Sequence, residues 1–228
     1  MKTERSVSAV IVAAGSGTRM GSIAKPLINI GGKTLLQRVV DTFDKCEHIS
    51  EIIIVQKEER QFNELVVSEK NIKFVIGGKT RADSVKNGVG AAVSSYVCIH
   101  DCARPFISAE EVERLITAAF ESGASCAYTK VKDTIKYRSV QEKCFYTPKR
   151  DNLIAVQTPQ VFKKSIWIVS DALARKNGIQ NTDDSTYAEQ AGFRVSYIEC
   201  SEFNLKLTDA NDVKIAKAIH FLKEHGDL

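Results

Sequence analysis

The chain has 228 residues and a mass of 25.2 kDa, 43% of them hydrophobic, enough to bury a substantial core and most economically read as one domain over 1–228. A formal net charge of +4 and a pI near 8.7 make a mild, diffuse basic excess that suits polyphosphate ligands and gives no argument for nucleic acid. No stretch has the length and apolarity of a membrane span, and the cysteines at 46, 98, 102, 126, 144 and 200 include no Cys-x-x-Cys pair, so neither a zinc site nor a disulfide framework is suggested and a reducing cytoplasm is the expected location.

Lys2 and Arg5 ahead of an apolar stretch imitate a signal peptide, but that stretch runs into a glycine loop with an arginine and not into a small-residue cleavage site. The run Val7–Val12, short and branched, predicts a buried strand. Ala13-Ala14-Gly15-Ser16-Gly17-Thr18-Arg19-Met20-Gly21 then leaves the end of the sheet, answered by Lys25-Pro26. Glycines there let the backbone turn tightly and aim several N–H groups at an anion, while Arg19 and Lys25 add mobile positive charge. The spacing is neither that of a P-loop nor that of a dinucleotide fingerprint, because Met20 stands where the third glycine belongs. Glycines alone would equally suit an ordinary strand-to-helix turn; Arg19 and Lys25 point to a triphosphate cradle.

Leu35, Leu36, Val39, Val40 and Phe43 recur at helical spacing and predict a helix over about 34–46. Ile52–Val55 reads as a strand, roughly 57–68 as a polar helix, and Ile72–Ile76 as a third strand. This βαβ repetition predicts a mostly parallel sheet covered by helices, with ligands at the carboxyl ends of its strands. Gly77-Gly78-Lys79-Thr80-Arg81-Ala82-Asp83-Ser84 follows the third strand into a helix near 82–93; its backbone and the Ser84 hydroxyl offer small directional groups suited to a base edge, or an ordinary turn. The strand Tyr96–His100 ends in Asp101, which could hold Mg²⁺ through oxygen or simply cap the loop in a pair with Arg104. His100 reads as a satisfied strand-end histidine. Ser108 and Glu111 form a capping box for a helix to about 122, and Ala124–Val131 is a further strand.

The lysine-rich, helix-poor stretch from Lys132 to Arg150 predicts a β-hairpin arm projecting from the sheet. Asn204-Leu205-Lys206-Leu207-Thr208 precedes a last helix near 209–224 and puts Lys206 at a strand end, where a lysine facing the crevice would pair with phosphate.

Taken in order, the loop with Lys25-Pro26, Gly77-Gly78-x-x-Arg81-x-x-Ser84, His100-Asp101-x-Ala103-Arg104-Pro105, Val131-Lys132-Asp133-Thr134-Ile135-Lys136, Gln157-Thr158-Pro159-Gln160-x-Phe162, Thr182-Asp183-Asp184 and Asn204-x-Lys206-x-Thr208 resemble the 2-C-methyl-D-erythritol 4-phosphate cytidylyltransferase family over nearly the whole chain. The resemblance implies a Rossmann-like nucleotidyltransferase fold of the α/β class, a homodimer formed through the arm at about 132–150, CTP and a polyol phosphate as substrates, and Mg²⁺ as cofactor. It gives Arg19, Lys25 and Lys206 catalytic roles at the triphosphate. It gives Ala13, Ala14, Gly15, Gly17, Thr18, Gly78, Ser84 and Asp101 to the nucleotide, with Asp101 also the metal ligand. Thr134, Arg150, Thr158 and Lys206 would surround the polyol phosphate. Phe203 stands where some members carry an acid, so a second carboxylate for the metal is not supplied from that position. A related family that uses ribitol 5-phosphate shares several of these motifs and is the alternative; a non-catalytic nucleotide-binding relative would not need Arg19, Lys25, Asp101 and Lys206 together.

Overall fold

The computed structural model describes residues 5–15, 24–139, 141, 144–180 and 182–226. In chain order it has β1 (Val7–Val12), the small hairpin β2 (Asn29–Ile30) and β3 (Lys33–Thr34), α1 (Leu35–Asp44), β4 (Ile49–Gln56), β5 (Asn71–Ile76), α2 (Arg81–Ala91), β6 (Tyr96–Asp101), α3 (Ala109–Ser122) and β7 (Ala124–Lys130). There follow β8 (Tyr137–Ser139), β9 (Cys144–Tyr146), β10 (Ile154–Lys163), α4 (Lys164–Lys176), α5 (Asp184–Gln190), β11 (Ser196–Glu199) and α6 (Ala210–Glu224).

Seven strands form one sheet in the order β11-β7-β10-β6-β1-β4-β5, every neighbouring pair parallel except the two that β10 makes. The central strands are apolar on both faces because both faces are covered. Val7, Ala9 and Ile11 of β1 and Ile52 and Ile54 of β4 pack under α1, α3 and α6; the alternate residues Val10, Ile53 and Val55 pack under α2, α4 and α5. Each such fully buried branched side chain contributes roughly 1.5–3 kcal/mol.

The helix starts follow local chemistry. Thr34 caps α1 through the Gln37 N–H, and Thr80 with Asp83, Ser108 with Glu111 and Asp209 with Asp212 form capping boxes on α2, α3 and α6. The arm is the antiparallel pair β8–β9, in register Tyr137↔Tyr146 and Ser139↔Cys144, as its composition predicts.

Two expectations fail. Residues 57–68 form turns and no helix, because side chains take the backbone groups a helix would have used. Gln56 Oε1 accepts the Phe62 N–H, Gln61 Oε1 accepts the Lys57 N–H, and Gln37 from α1 bonds both the N–H and the carbonyl of Val67. Phe62, wholly buried, pins this segment to the core. Secondly, Lys206 lies on no strand: β11 ends at Glu199, and the chain then crosses the sheet edge irregularly, held by the Asn204 side-chain amide, which donates to Gln157 Oε1 and to the Thr158 carbonyl at 2.9 Å each.

Candidate active site

The register of the sheet assembles the site. Val12 sits opposite Val55 on one side and Asp101 on the other, and Gln56 sits opposite Ile76, so β1, β4, β5 and β6 end together. The ladder continues one step beyond them, with Ala13 N–H to Val55 O (2.9 Å), Gly77 N–H to Gln56 O (2.8 Å) and Cys102 N–H to Val12 O (3.2 Å). Above these ends opens a cavity of about 570 Å³. Its wall includes Ala13, Ala14, Gly15, Lys25, Gly78, Ser84, Asp101 and Lys206, all anticipated from the sequence, together with Lys57, Lys79, Thr80 and Arg81. Among the described lining residues five are cationic and Asp101 alone is acidic, a balance that favours a polyanion.

Asp101 is the hub of this wall. Oδ1 accepts from Arg81 Nε at 3.1 Å and Oδ2 from Lys206 Nζ at 2.7 Å. Its backbone N–H donates to Thr158 Oγ1 (3.1 Å), and its carbonyl accepts the Arg104 N–H (3.0 Å). Burial alone would raise the pKa of Asp101, but the charges of Arg81 and Lys206 outweigh it and hold the carboxyl well below the usual carboxylate range. Asp101 is thus a fixed negative charge and a poor base. Arg104, considered as its partner, instead donates to the Asn204 carbonyl at 2.8 Å, and Arg81 takes its place.

His100 stays out of the cavity and is satisfied, as expected. Burial pushes its pKa down to about 4, so the ring is neutral near pH 7. Nε2–H donates to the Arg104 carbonyl (2.9 Å), which leaves Nδ1 to accept from Thr158 Oγ1 (3.1 Å).

Lys25 opens a short 3₁₀ turn, Lys25–Leu27, whose Pro26 is buried; its ammonium donates to the Leu207 carbonyl at 3.0 Å, tying the loop after β1 to the segment that carries Lys206. At the other end of the cavity Gly78 N–H donates to Ser84 Oγ (3.1 Å), and that hydroxyl donates to the Thr80 carbonyl (3.0 Å). A Cβ on Gly78 would stand 2.2 Å from Asp83 Cβ, so only glycine lets the loop close onto the first turn of α2. The N-terminus of α2 therefore borders the cavity, where its dipole favours negative charge.

Gly17, Thr18 and Arg19 fall outside the described residues. Thr158 is 5% exposed and its hydroxyl is engaged by Asp101 and His100, so in this chain it braces the hub from behind and does not line the cavity. Thr134 and Arg150 are exposed at the root of the arm, where Arg150 Nη1 donates to the Lys132 carbonyl at 3.0 Å, and neither lines the cavity of its own chain.

Sequence reasoning missed Arg81 and Asp184 as members of this network. Arg81 Nη1 donates to Asp184 Oδ2 at 2.9 Å, and Asp184 Oδ1 accepts the indole N–H of Trp167 at 3.1 Å. Both residues stood inside quoted motifs; the signal was an arginine at the first position of a helix facing the expected phosphates.

The cysteines are free thiols, and Cys102, beside the cavity, has its pKa raised by burial, so it is no nucleophile. Among the described residues no group of three or more His, Cys, Asp or Glu could by itself hold a metal ion, and no helix is long and apolar enough to cross a membrane.

The family model for 2-C-methyl-D-erythritol 4-phosphate cytidylyltransferase matches residues 7–221. A protein of that name from Caldanaerobacter subterraneus subsp. tengcongensis is 39% identical over 220 residues, covering 92% of this chain and 97% of the relative. One from Clostridium botulinum (strain Eklund 17B / Type B) is 37% identical over 219 residues, with 92% and 97% covered. Among solved structures, 4-diphosphocytidyl-2C-methyl-D-erythritol synthase from Anaerococcus prevotii superposes with a TM-score of 0.83 at 30% identity, covering 94% of this chain and 98% of that one. The 2-C-methyl-D-erythritol 4-phosphate cytidylyltransferase from Thermus thermophilus superposes with a TM-score of 0.79 at 29% identity, with 94% and 98% covered. The mostly parallel helix-covered sheet, the cationic cavity at its carboxyl edge and these matches lead to one conclusion: the chain belongs to the 2-C-methyl-D-erythritol 4-phosphate cytidylyltransferase family.

Proposed function

We propose that the protein transfers CMP from CTP to 2-C-methyl-D-erythritol 4-phosphate and releases pyrophosphate, and that it works as a cytoplasmic homodimer with two shared sites. The observation that carries the reaction is the wall of Lys25, Arg81 and Lys206 around a buried, ionised Asp101 at the mouth of the α2 N-terminus. Such a wall recognises a polyphosphate and answers the negative charge carried by the oxygens around the α-phosphorus.

A phosphate-monoester oxygen of the polyol attacks the α-phosphorus of CTP in line; the bond to the bridging oxygen of the β-phosphate breaks, and its electron pair leaves with pyrophosphate. The attacking oxygen is already ionised near neutral pH, so no base is required, consistent with an Asp101 held too acidic to take a proton and a His100 sealed inside the sheet. Positioning and electrostatics remain as the sources of rate. Lys25, with Arg19 from the same loop, holds the triphosphate; Lys206 meets the transferring phosphoryl group. Gly78, Ser84 and the backbone at Ala13 and Ala14 offer fixed hydrogen-bonding groups for cytosine.

For Mg²⁺, Asp101 is the one acid on the described wall; two nitrogens of Arg81 face its Oδ1, while Oδ2, held by Lys206, is the oxygen that would meet the ion. One carboxylate plus substrate phosphates is a usual magnesium arrangement, in which the ion neutralises phosphate charge. Thr134 and Arg150 bear on the polyol phosphate only if another copy brings them to this cavity, which is the support for the shared site. Six free thiols, five of them buried, suit a chain that works in a reducing compartment.

Pyrophosphate release tests this reading, with CTP paired to 2-C-methyl-D-erythritol 4-phosphate or to ribitol 5-phosphate over a Mg²⁺ titration. Turnover with the first polyol, dependent on Mg²⁺ and lost with UTP, is expected. Preference for ribitol 5-phosphate would move the protein to the related reaction, and indifference to Mg²⁺ would remove the metal from Asp101.

A further inference from the structure

The guanidinium of Arg81 stands between two carboxylates. Nε and Nη2 both lie 3.1 Å from Asp101 Oδ1, while Nη1 lies 2.9 Å from Asp184 Oδ2. Besides Arg81, two buried side chains hold Asp184. Its Oδ1 accepts from Trp167 Nε1 (3.1 Å), its backbone N–H donates to Gln160 Oε1 (3.1 Å), and Gln160 is fixed by the Ser185 N–H (2.8 Å) and by its own donation to Asp183 Oδ2 (3.1 Å). Asp184 is 1% exposed and Gln160 fully buried, and neither lines the cavity. A seat this rigid behind a site, with no access to it, acts through what it holds.

A guanidinium favours side-by-side pairing with both oxygens of one carboxylate. Were Arg81 to take Asp101 in that way it would cover Oδ2, the oxygen that Lys206 holds at 2.7 Å. Asp184 draws Nη1 in the other direction and restricts Arg81 to Oδ1. We propose that Asp184 is a positioning residue for nucleotidyl transfer: by anchoring Arg81 it leaves Asp101 Oδ2 to Lys206 and so sets where that ammonium stands in the cavity. The buried segments around Gln160 and Thr182-Asp183-Asp184 thereby gain a part in the chemistry without touching substrate.

The kinetic consequence rests on the cytidylyl-transfer reading; the chemical one does not. Asp184→Asn keeps the side-chain shape and removes the charge, and Trp167→Phe keeps a ring and removes only the N–H. In the full-length protein, amine labelling by reductive methylation, read by peptide mass, should modify Lys206 several-fold faster in Asp184→Asn than in the parent. Lys57, on the same wall but paired with Glu58, should label at the parental rate. In turnover, kcat should fall tenfold or more while the KM for CTP changes less than threefold, and Asp184→Asn should add little once Asp101→Asn is present, since both act through one carboxylate. Trp167→Phe should move labelling and kcat in the same direction by less, and it decides the matter if Asp184→Asn does not fold. Unchanged Lys206 labelling in the folded variant, or effects of Asp184→Asn and Asp101→Asn that multiply, would overturn the assignment. A parent that turns over no CTP would sink the functional reading alone, and the labelling result would still decide this one.

Discussion

At the end of β6 every polar atom of Asp101 is engaged by its own chain, two side-chain cations, a hydroxyl and a loop amide, whereas at the root of the arm Thr134 and Arg150 are exposed and Arg150 makes a local contact to the Lys132 carbonyl. The first region is costly to assemble and is therefore assembled by folding: burial of the Asp101 and Asp184 carboxylates is offset by their shared pairing with the half-buried Arg81. The second has little to bury. Its aromatics Tyr137, Phe145 and Tyr146 are 50% or more exposed, an apolar surface that a second copy of the chain would cover. What the contrast teaches is that the cavity around Asp101 is preorganised within one chain, whereas Thr134 and Arg150, on the dimer proposed above, would gain order from association.

The largest effect should come from the preorganised half. Lys25→Ala removes a cation on the cavity wall that also donates to the Leu207 carbonyl; the fold should survive while kcat drops by a hundredfold or more, or roughly 3–4 kcal/mol of lost transition-state stabilisation. Near-parental turnover in a folded Lys25→Ala protein would break the contrast at its stronger side. Arg150→Ala tests the other half. Loss of a charge-assisted contact should raise the KM for the polyol phosphate roughly ten- to a hundredfold and leave the KM for CTP within twofold. An equal rise in both would mean that the arm serves the nucleotide.

The interior behind Asp101 gives a smaller, thermodynamic signal. Burial lowers the His100 pKa from 6.5 to about 4, so between those values the unfolded chain binds a proton that the folded chain refuses. This contribution to stability is intact above about pH 6.5 and is lost as pH falls towards 4. Urea midpoints of the parent should decline through that window, and His100→Gln should decline less steeply. Identical slopes for the two proteins would show that His100 is not the group responsible.

How much of this was legible in the sequence follows from what each feature depends on. The strands of β1, β4 and β6, the capping box at Ser108 and the hairpin arm rest on local pattern, and local pattern predicts them. The cavity residues Lys25, Gly78, Ser84, Asp101 and Lys206 were readable because parallel strands must deliver their following loops to one edge. The turns at 57–68 were not, because glutamines at 37, 56 and 61 capture backbone groups across space. Arg81 and Asp184 are 103 residues apart, and no periodicity announces an ion pair of that span. The inward contacts of Thr158, whose hydroxyl meets Asp101 and His100 beside the shift of β10–β7 register between Val156 and Gln160, likewise depend on residues far apart in the chain.

The division of the site between two copies is tested most directly by subunit mixing. Lys25→Ala and Arg150→Ala homodimers should each turn over poorly, because both of their sites carry the lesion. Mixed dimers, prepared by co-expression with two tags and verified by mass, should recover up to half of the parental activity per dimer, since one of their two sites contains neither mutation. Mixed dimers as inactive as the parents, with subunit exchange confirmed, would contradict the account and return Arg150 to the cavity of its own chain.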